Sequence, residues 1–302
     1  MKRILVLLIG LLFSGTVCSQ IQYRDSIYSD IAQSTHTYTI HQQDTLMFDY
    51  YRAIKAQGKL PLLIYVHGGG FMSGNRGGKG LRNFAHKLAG RGYAVASISY
   101  RLTMKNLGFG CETDAKAKKQ AFDDASTDID RAVKYLLDNP KEFEIDKTKI
   151  ILVGSSAGAE AVLNTIYDFE HKELPEDFRY GGVISMAGAL ATLENINAET
   201  AVPTQLFHGT GDNLVPYDVA SHHYCTAKQP GFMMLYGAGA ISRKLRGLGK
   251  TYFLYTIYGG SHRWAGAPME VFFNDMVDFL FNDVINPISN RQTERSMNDF
   301  EE

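Results

Sequence analysis

The sequence predicts an α/β protein with a mostly parallel central sheet and helices on both faces. Short, fully apolar, β-branched runs recur along the chain and alternate with segments of helical period, the pattern of a sheet buried on both sides. One of these runs, residues 150–153, breaks directly into Gly154-Ser155-Ser156-Ala157-Gly158, and helical spacing resumes over 159–167. A strand that turns so sharply into a helix lifts the middle serine clear of the sheet, and glycines two before and two after it remove colliding side chains. The turn also sets Ser156 at a helix N-terminus, with the Ala157 N–H free to donate to a developing negative charge.

The elements follow in order. Residues 35–40 and 46–54 alternate apolar and polar side chains around Gln42-Gln43-Asp44, which predicts an antiparallel hairpin at a sheet edge. Residues 61–66 form a continuous apolar run, hence a central strand, ending in His67-Gly68-Gly69-Gly70-Phe71. A helix over 81–89 and a strand over 93–100 come next, then a long loop carrying Cys111. Apolar positions 125, 129, 132, 133, 136 and 137 predict a helix over 121–137, stopped by Asn139-Pro140. After the serine turn, strands are expected at 182–187 and 204–208, a glycine-interrupted helical segment over 217–249, a last strand over 251–258 and a closing helix over 268–281.

The ends read differently. Lys2-Arg3, an apolar run over 4–13 and Val17-Cys18-Ser19 make residues 1–19 a signal peptide, too short to span a bilayer. The rival reading is a lipoprotein anchored through Cys18, but Gly15-Thr16-Val17 makes a poor lipobox. Residues 20–34 read as a loosely held N-terminal arm, 35–285 as one domain and 286–302 as a polar, frayed tail. Losing Lys2 and Arg3 takes the formal charge from −1 to −3, so no nucleic-acid surface or polybasic membrane patch is expected. Cys111 and Cys225 are an even pair in an exported chain and permit a disulfide; two buried thiols are the alternative. No clustered His, Cys or carboxylate spacing suggests a metal.

With these motifs in view, the chain resembles the α/β-hydrolases over roughly residues 45–285. His67-Gly-Gly-Gly-Phe71 is similar to the oxyanion loop of the hormone-sensitive-lipase-like carboxylesterases, and the glycine loop, the G-x-S-x-G turn, an aspartate turn and a late histidine occur in that family's order. The resemblance implies an α/β-hydrolase fold and a cofactor-free triad. In it Ser156 is the nucleophile, His262 in Gly259-Gly-Ser-His262 the base, and Asp212 in His208-Gly-Thr-Gly-Asp212 the acid that orients the imidazole. Asp218 is the competing acid, but it falls inside the expected following helix. His208 reads as a packed strand-end residue, and His222-His223 as facing solvent or the rim of the cleft. Gly69, Gly70 and Ala157 are the expected oxyanion donors. Phe71 and Trp264 are candidate pocket residues, Trp264 because it follows the base by two positions.

These readings point to an exported serine esterase on small soluble esters, with short acyl or aryl acyl groups and acylated carbohydrate among the candidates. A lactonase or peptidase on the same scaffold, and a non-catalytic binding module, remain the alternatives. The short stretch between the strands at 182–187 and 204–208 leaves no room for a helical cap, so a minimal cap and an open cleft are expected.

Overall fold

Why the central strands read as unbroken apolar runs is clear from the computed structural model, which describes residues 21–300. Strand β3 (Leu60–Val66) pairs in parallel with both β4 (Ala94–Ile98) and β5 (Ile145–Ser155). Its side chains alternate between two cores: Leu62, Ile64 and Val66 enter one, Leu63 and Tyr65 the other. Both faces are covered, so neither parity can be polar.

Among the described residues the main sheet has nine strands in the order β1-β2-β4-β3-β5-β6-β7-β10-β11. Strands β1 (Ile31–His41) and β2 (Asp44–Ala53) form the expected antiparallel edge hairpin, and β2 also runs antiparallel to β4. From β4 through β3 and β5 to β6 (Gly182–Met186), β7 (Thr204–Gly209) and β10 (Tyr252–Tyr258), every pairing is parallel. Helices α2 (Ala115–Asp138), α4 (Ala157–Tyr167) and α5 (Ala238–Gly247) pack into one core. Helices α1 (Lys79–Ala89) and α7 (Phe273–Phe279) pack into the other. Among the described residues α3 (Pro140–Phe143) and α6 (Pro268–Val271) are one-turn helices, and a π-helical turn at Leu280–Ile285 continues α7. Residues 187–203 carry no helix, in keeping with a minimal cap.

Several boundaries differ from expectation. The signal peptide at 1–19 and Cys18 lie outside the described residues. Residues 21–34 of the expected arm are not loose: Tyr23 and Tyr28 N–H donate to the Arg91 and Gly90 carbonyls, the Tyr23 and Tyr93 rings lie 5.3 Å apart, and β1 already begins at Ile31. Helix α2 starts six residues early because Asp114 caps it, accepting the Lys116 N–H at 2.8 Å; the added turns are lysine-rich and carry no apolar period. The stretch 217–249 has α5 as its only α-helix, with one 3-10 turn at His222–Tyr224. Before α5 it holds a small antiparallel ribbon, β8 (Val219–Ser221) with β9 (Met234–Tyr236).

The tail is the largest correction. Residues 286–302 were expected to fray, yet Gln292–Asn298 forms β11, in parallel register with all of β10. Its sequence, Gln-Thr-Glu-Arg-Ser-Met-Asn, is polar on both faces because it is an edge strand, where charge blocks further pairing. Among the described residues no helix is long and apolar enough to cross a membrane.

Candidate active site

The turn from β5 into α4 holds Ser156 at φ 52° and ψ −123°, a region that costs a residue with a side chain about 1–3 kcal/mol. Close packing enforces it. A Cβ on Gly158 would lie 2.1 Å from the Val66 carbonyl oxygen, and one on Gly154 would lie 2.2 Å from that of Gly158. The Ser156 N–H donates to the Met186 carbonyl at 2.9 Å, which ties the turn to β6.

Two loops from distant sequence converge on this serine. His262, in the turn after β10, has Nε2 at 2.8 Å from Ser156 Oγ. Its Nδ1 lies 2.8 Å from Oδ2 of Asp212, in the loop after β7. Asp212 Oδ1 accepts the Leu214 and Val215 N–H groups at 2.9 and 3.0 Å. Burial alone would raise the pKa of this carboxyl. Hydrogen bonds from His208 and His262 outweigh burial and hold it well below the usual carboxylate range. An ionised Asp212 accepts a hydrogen bond from the Nδ1–H, which fixes that tautomer, so the Nε2 lone pair faces the hydroxyl.

His208 is buried as expected, with Nε2 at 3.1 Å from the Val215 carbonyl and 3.4 Å from Asp212. Asp218 is half-exposed and pairs with Arg243, away from His262.

The glycine loop is braced from its first residue. The His67 ring stacks on Tyr100 at 4.5 Å, its Nδ1 lies 2.8 Å from the Gly68 carbonyl, and Tyr100 donates its hydroxyl to the His67 carbonyl. Gly69, Gly70 and Phe71 all take positive φ, and the Met72 and Ser73 N–H groups close the turn onto the Gly69 carbonyl. Gly69, Gly70 and Ala157 line the same cavity of about 620 Å³ as Ser156 and His262.

Neither expected pocket side chain reaches that cavity. Phe71 is fully buried among Tyr100, Phe109 and Phe122, because the loop's positive φ turns it inward. Trp264 is buried as well, stacked on Phe272 at 5.5 Å, with Nε1 donating to Asp299 of the C-terminal segment. The walls are instead Met72, Phe109, Leu214, Val215 and the pair His222-His223. His222 is fully buried rather than facing solvent.

A disulfide holds this wall in place. Cys111 and Cys225 are bonded, with 5.3 Å between their Cα atoms. The Gly231 N–H also donates to the Cys111 carbonyl, and the Tyr224 hydroxyl donates to the Asp212 carbonyl. Among the described residues no group of three or more His, Cys, Asp or Glu side chains is arranged to hold a metal.

With the geometry in place, known proteins can be compared. In a propionate-bound form, esterase 2 of Thermogutta terrifontis superposes with a TM-score of 0.60 at 17% identity over 84% of this chain and 94% of that one. The chain has the α/β-hydrolase fold. The BD-FAE family model matches residues 48–180 of this hydrolase fold. Gut esterase 1 of Caenorhabditis elegans is 34% identical over 122 residues, 40% of this chain and 20% of that protein. The probable N-octanoylanthranilate hydrolase AqdA2 of Rhodococcus erythropolis is 33% identical over 107 residues, 35% of this chain and 22% of that protein. The chain thus matches about a fifth of the length of these curated relatives.

Sequence reasoning missed Glu160, which lines the cavity one helical turn beyond Ser156 and is almost wholly buried. A signal was present: one carboxylate stands in the small-residue run Ala157-Gly-Ala-Glu160-Ala-Val, where the helix packs on the sheet.

Proposed function

We propose that the protein is an exported serine esterase that cleaves small, soluble carboxylic esters through an acyl-enzyme. The observation that carries this reading is the hydrogen-bonded relay from Ser156 Oγ through His262 to Asp212, opening onto the cavity of about 620 Å³. In the first step His262 Nε2 takes the Ser156 proton as Oγ attacks the ester carbonyl. The tetrahedral oxyanion is met by the N–H groups of Gly69, Gly70 and Ala157. The imidazolium, stabilised by Asp212, returns its proton to the departing alcohol, leaving the acyl group on Ser156. Water then attacks the acyl carbonyl as His262 accepts its proton, and the imidazolium returns that proton to Ser156 Oγ as the acyl–Oγ bond breaks and the acid leaves.

Short acyl groups fit best. A cavity without a helical cap over residues 187–203 admits water-soluble esters with no interface to open it. The propionate held by the structurally similar Thermogutta esterase is a short acid of this kind. Export rests on residues 1–19, and a mature N-terminus at Gln20 in the exported protein is the expected result. The activity is tested by rates on nitrophenyl esters of two to twelve carbons, beside aminoacyl amides and lactones. Highest rates on acetyl to butyryl esters, with no jump above the micelle threshold, support the proposal. Rates that climb beyond about ten carbons, or amides or lactones cleaved faster than esters, contradict it.

A further inference from the structure

A buried polar cluster lies beside the nucleophile, and the relay just described makes no use of it. Glu160, on α4, and His222, after β8, both line the cavity and are both closed off from solvent. Glu160 Oε1 and His222 Nε2 are 3.8 Å apart, too far for a hydrogen bond, and each is a buried atom with no partner. Two orphaned polar atoms facing each other in a buried gap are costly unless a partner fills it.

Their chemistry is set by the residue behind them. Lys118, on α2, is fully buried, with Nζ at 3.1 Å from both His222 Nδ1 and the Gly231 carbonyl. An ammonium has only donors, so His222 Nδ1 accepts and Nε2 carries the hydrogen. Burial above all, then the neighbouring His223 and the Lys118 charge, keep the ring neutral and lower the His222 pKa to about 2. The gap therefore presents one N–H donor and one carboxyl oxygen.

We infer that Glu160 and His222 form a subsite for a hydroxyl group of the substrate, which accepts from His222 Nε2 and donates to Glu160. An oxygen about 2.8 Å from both atoms sits about 2 Å to one side of the line joining them. A hydroxyl suits the subsite whether the carboxyl is ionised or protonated, since it can donate or accept. An ammonium group would face the His222 N–H and Lys118 and is rejected by that wall; a carboxylate is repelled once Glu160 ionises. The inference rests on the esterase reading and narrows its substrates to hydroxylated esters. Phenolic or hydroxylated acyl groups and sugar alcohols share this chemistry.

Matched ester pairs test it: 4-hydroxycinnamate against cinnamate, and 3-hydroxybutyrate against butyrate, for the acyl side. Monoacetyl xylose against cyclohexyl acetate serves for the alcohol side. Each pair is measured on wild type, Glu160→Met, which is isosteric without hydrogen bonding, and Glu160→Gln, which keeps the carbonyl oxygen. Intrinsic ester reactivity cancels when the hydroxyl-to-deoxy ratio of kcat/KM is compared between enzymes. The expected result is a ratio at least tenfold lower in Glu160→Met for one side, largely restored in Glu160→Gln; the side affected identifies the source of the hydroxyl. Equal ratios in wild type and Glu160→Met for every pair, with esters still cleaved, overturn the subsite and leave the esterase reading standing; a resident water then fills the gap. Should Glu160→Met not fold, wild-type ratios no higher than those of alkaline hydrolysis overturn it equally. No cleavage of any ester by wild type overturns both readings.

Discussion

Breaking the bond between Cys111 and Cys225 should be the most damaging change available outside the sheet. The bond closes a loop with a sequence separation of 114, for which the chain-entropy relation gives about 5 kcal/mol. For a domain of this size that corresponds to a fall in Tm of about 10 °C. Replacing both cysteines by serine leaves no free thiol, and urea unfolding with and without reductant separates the bond from the substitution. Reductant should lower the wild-type midpoint to that of the double variant and leave the variant unmoved. Activity should fall with it, because the bonded segment carries His222 and also Tyr224, whose hydroxyl braces the Asp212 carbonyl. A loss below about 1 kcal/mol, or a reduced wild type that unfolds as the oxidised one does, would refute the reasoning.

The strain at Ser156 and the burial of Glu160 give two further expectations. Ser156→Gly should abolish turnover yet raise stability by about 1 kcal/mol, because glycine accepts φ 52° without strain; a less stable variant by calorimetry contradicts this. Burial, with the charge of Asp212 adding to it, pushes the Glu160 carboxyl up from 4.5 to about 8. The folded state then keeps a proton that the unfolded chain has lost, so this contribution is fully present below pH 4.5 and falls away as pH rises through 8. At about 1.4 kcal/mol per unit over the roughly three units from pH 5 to pH 8, Glu160→Gln should gain up to about 4 kcal/mol on wild type between pH 5 and pH 9. Equal urea midpoint differences at the two pH values would count against it.

How much could be read from the chain depended on whether a residue's role is local. The strands of the central sheet were legible because burial on both faces leaves only apolar residues at positions such as 150–153. Ser156 was legible because the glycines at 154 and 158 exist only to let backbones touch. The places where reading failed are set by distant partners. β11 looks like a tail because an edge strand needs one neighbour and no apolar face. Trp264 follows His262 by two residues, yet a short 3-10 turn at His262–Ala265 carries its ring under the loop and onto Phe272. Phe71 is likewise turned into the core by its positive φ. His222 reads as facing solvent or the rim of the cleft because its segment resembles a helix. The disulfide and Lys118, 114 and 104 residues away in sequence from their partners, draw that segment over the site instead.

The central claim is that Ser156 is a nucleophile activated by His262 and Asp212. A fluorophosphonate probe, intact mass and peptide mapping test it most directly. One adduct per chain, on Ser156, is predicted, with labelling slowed at least a hundredfold in His262→Ala. An unlabelled folded protein, or an adduct on any other residue, would contradict the account.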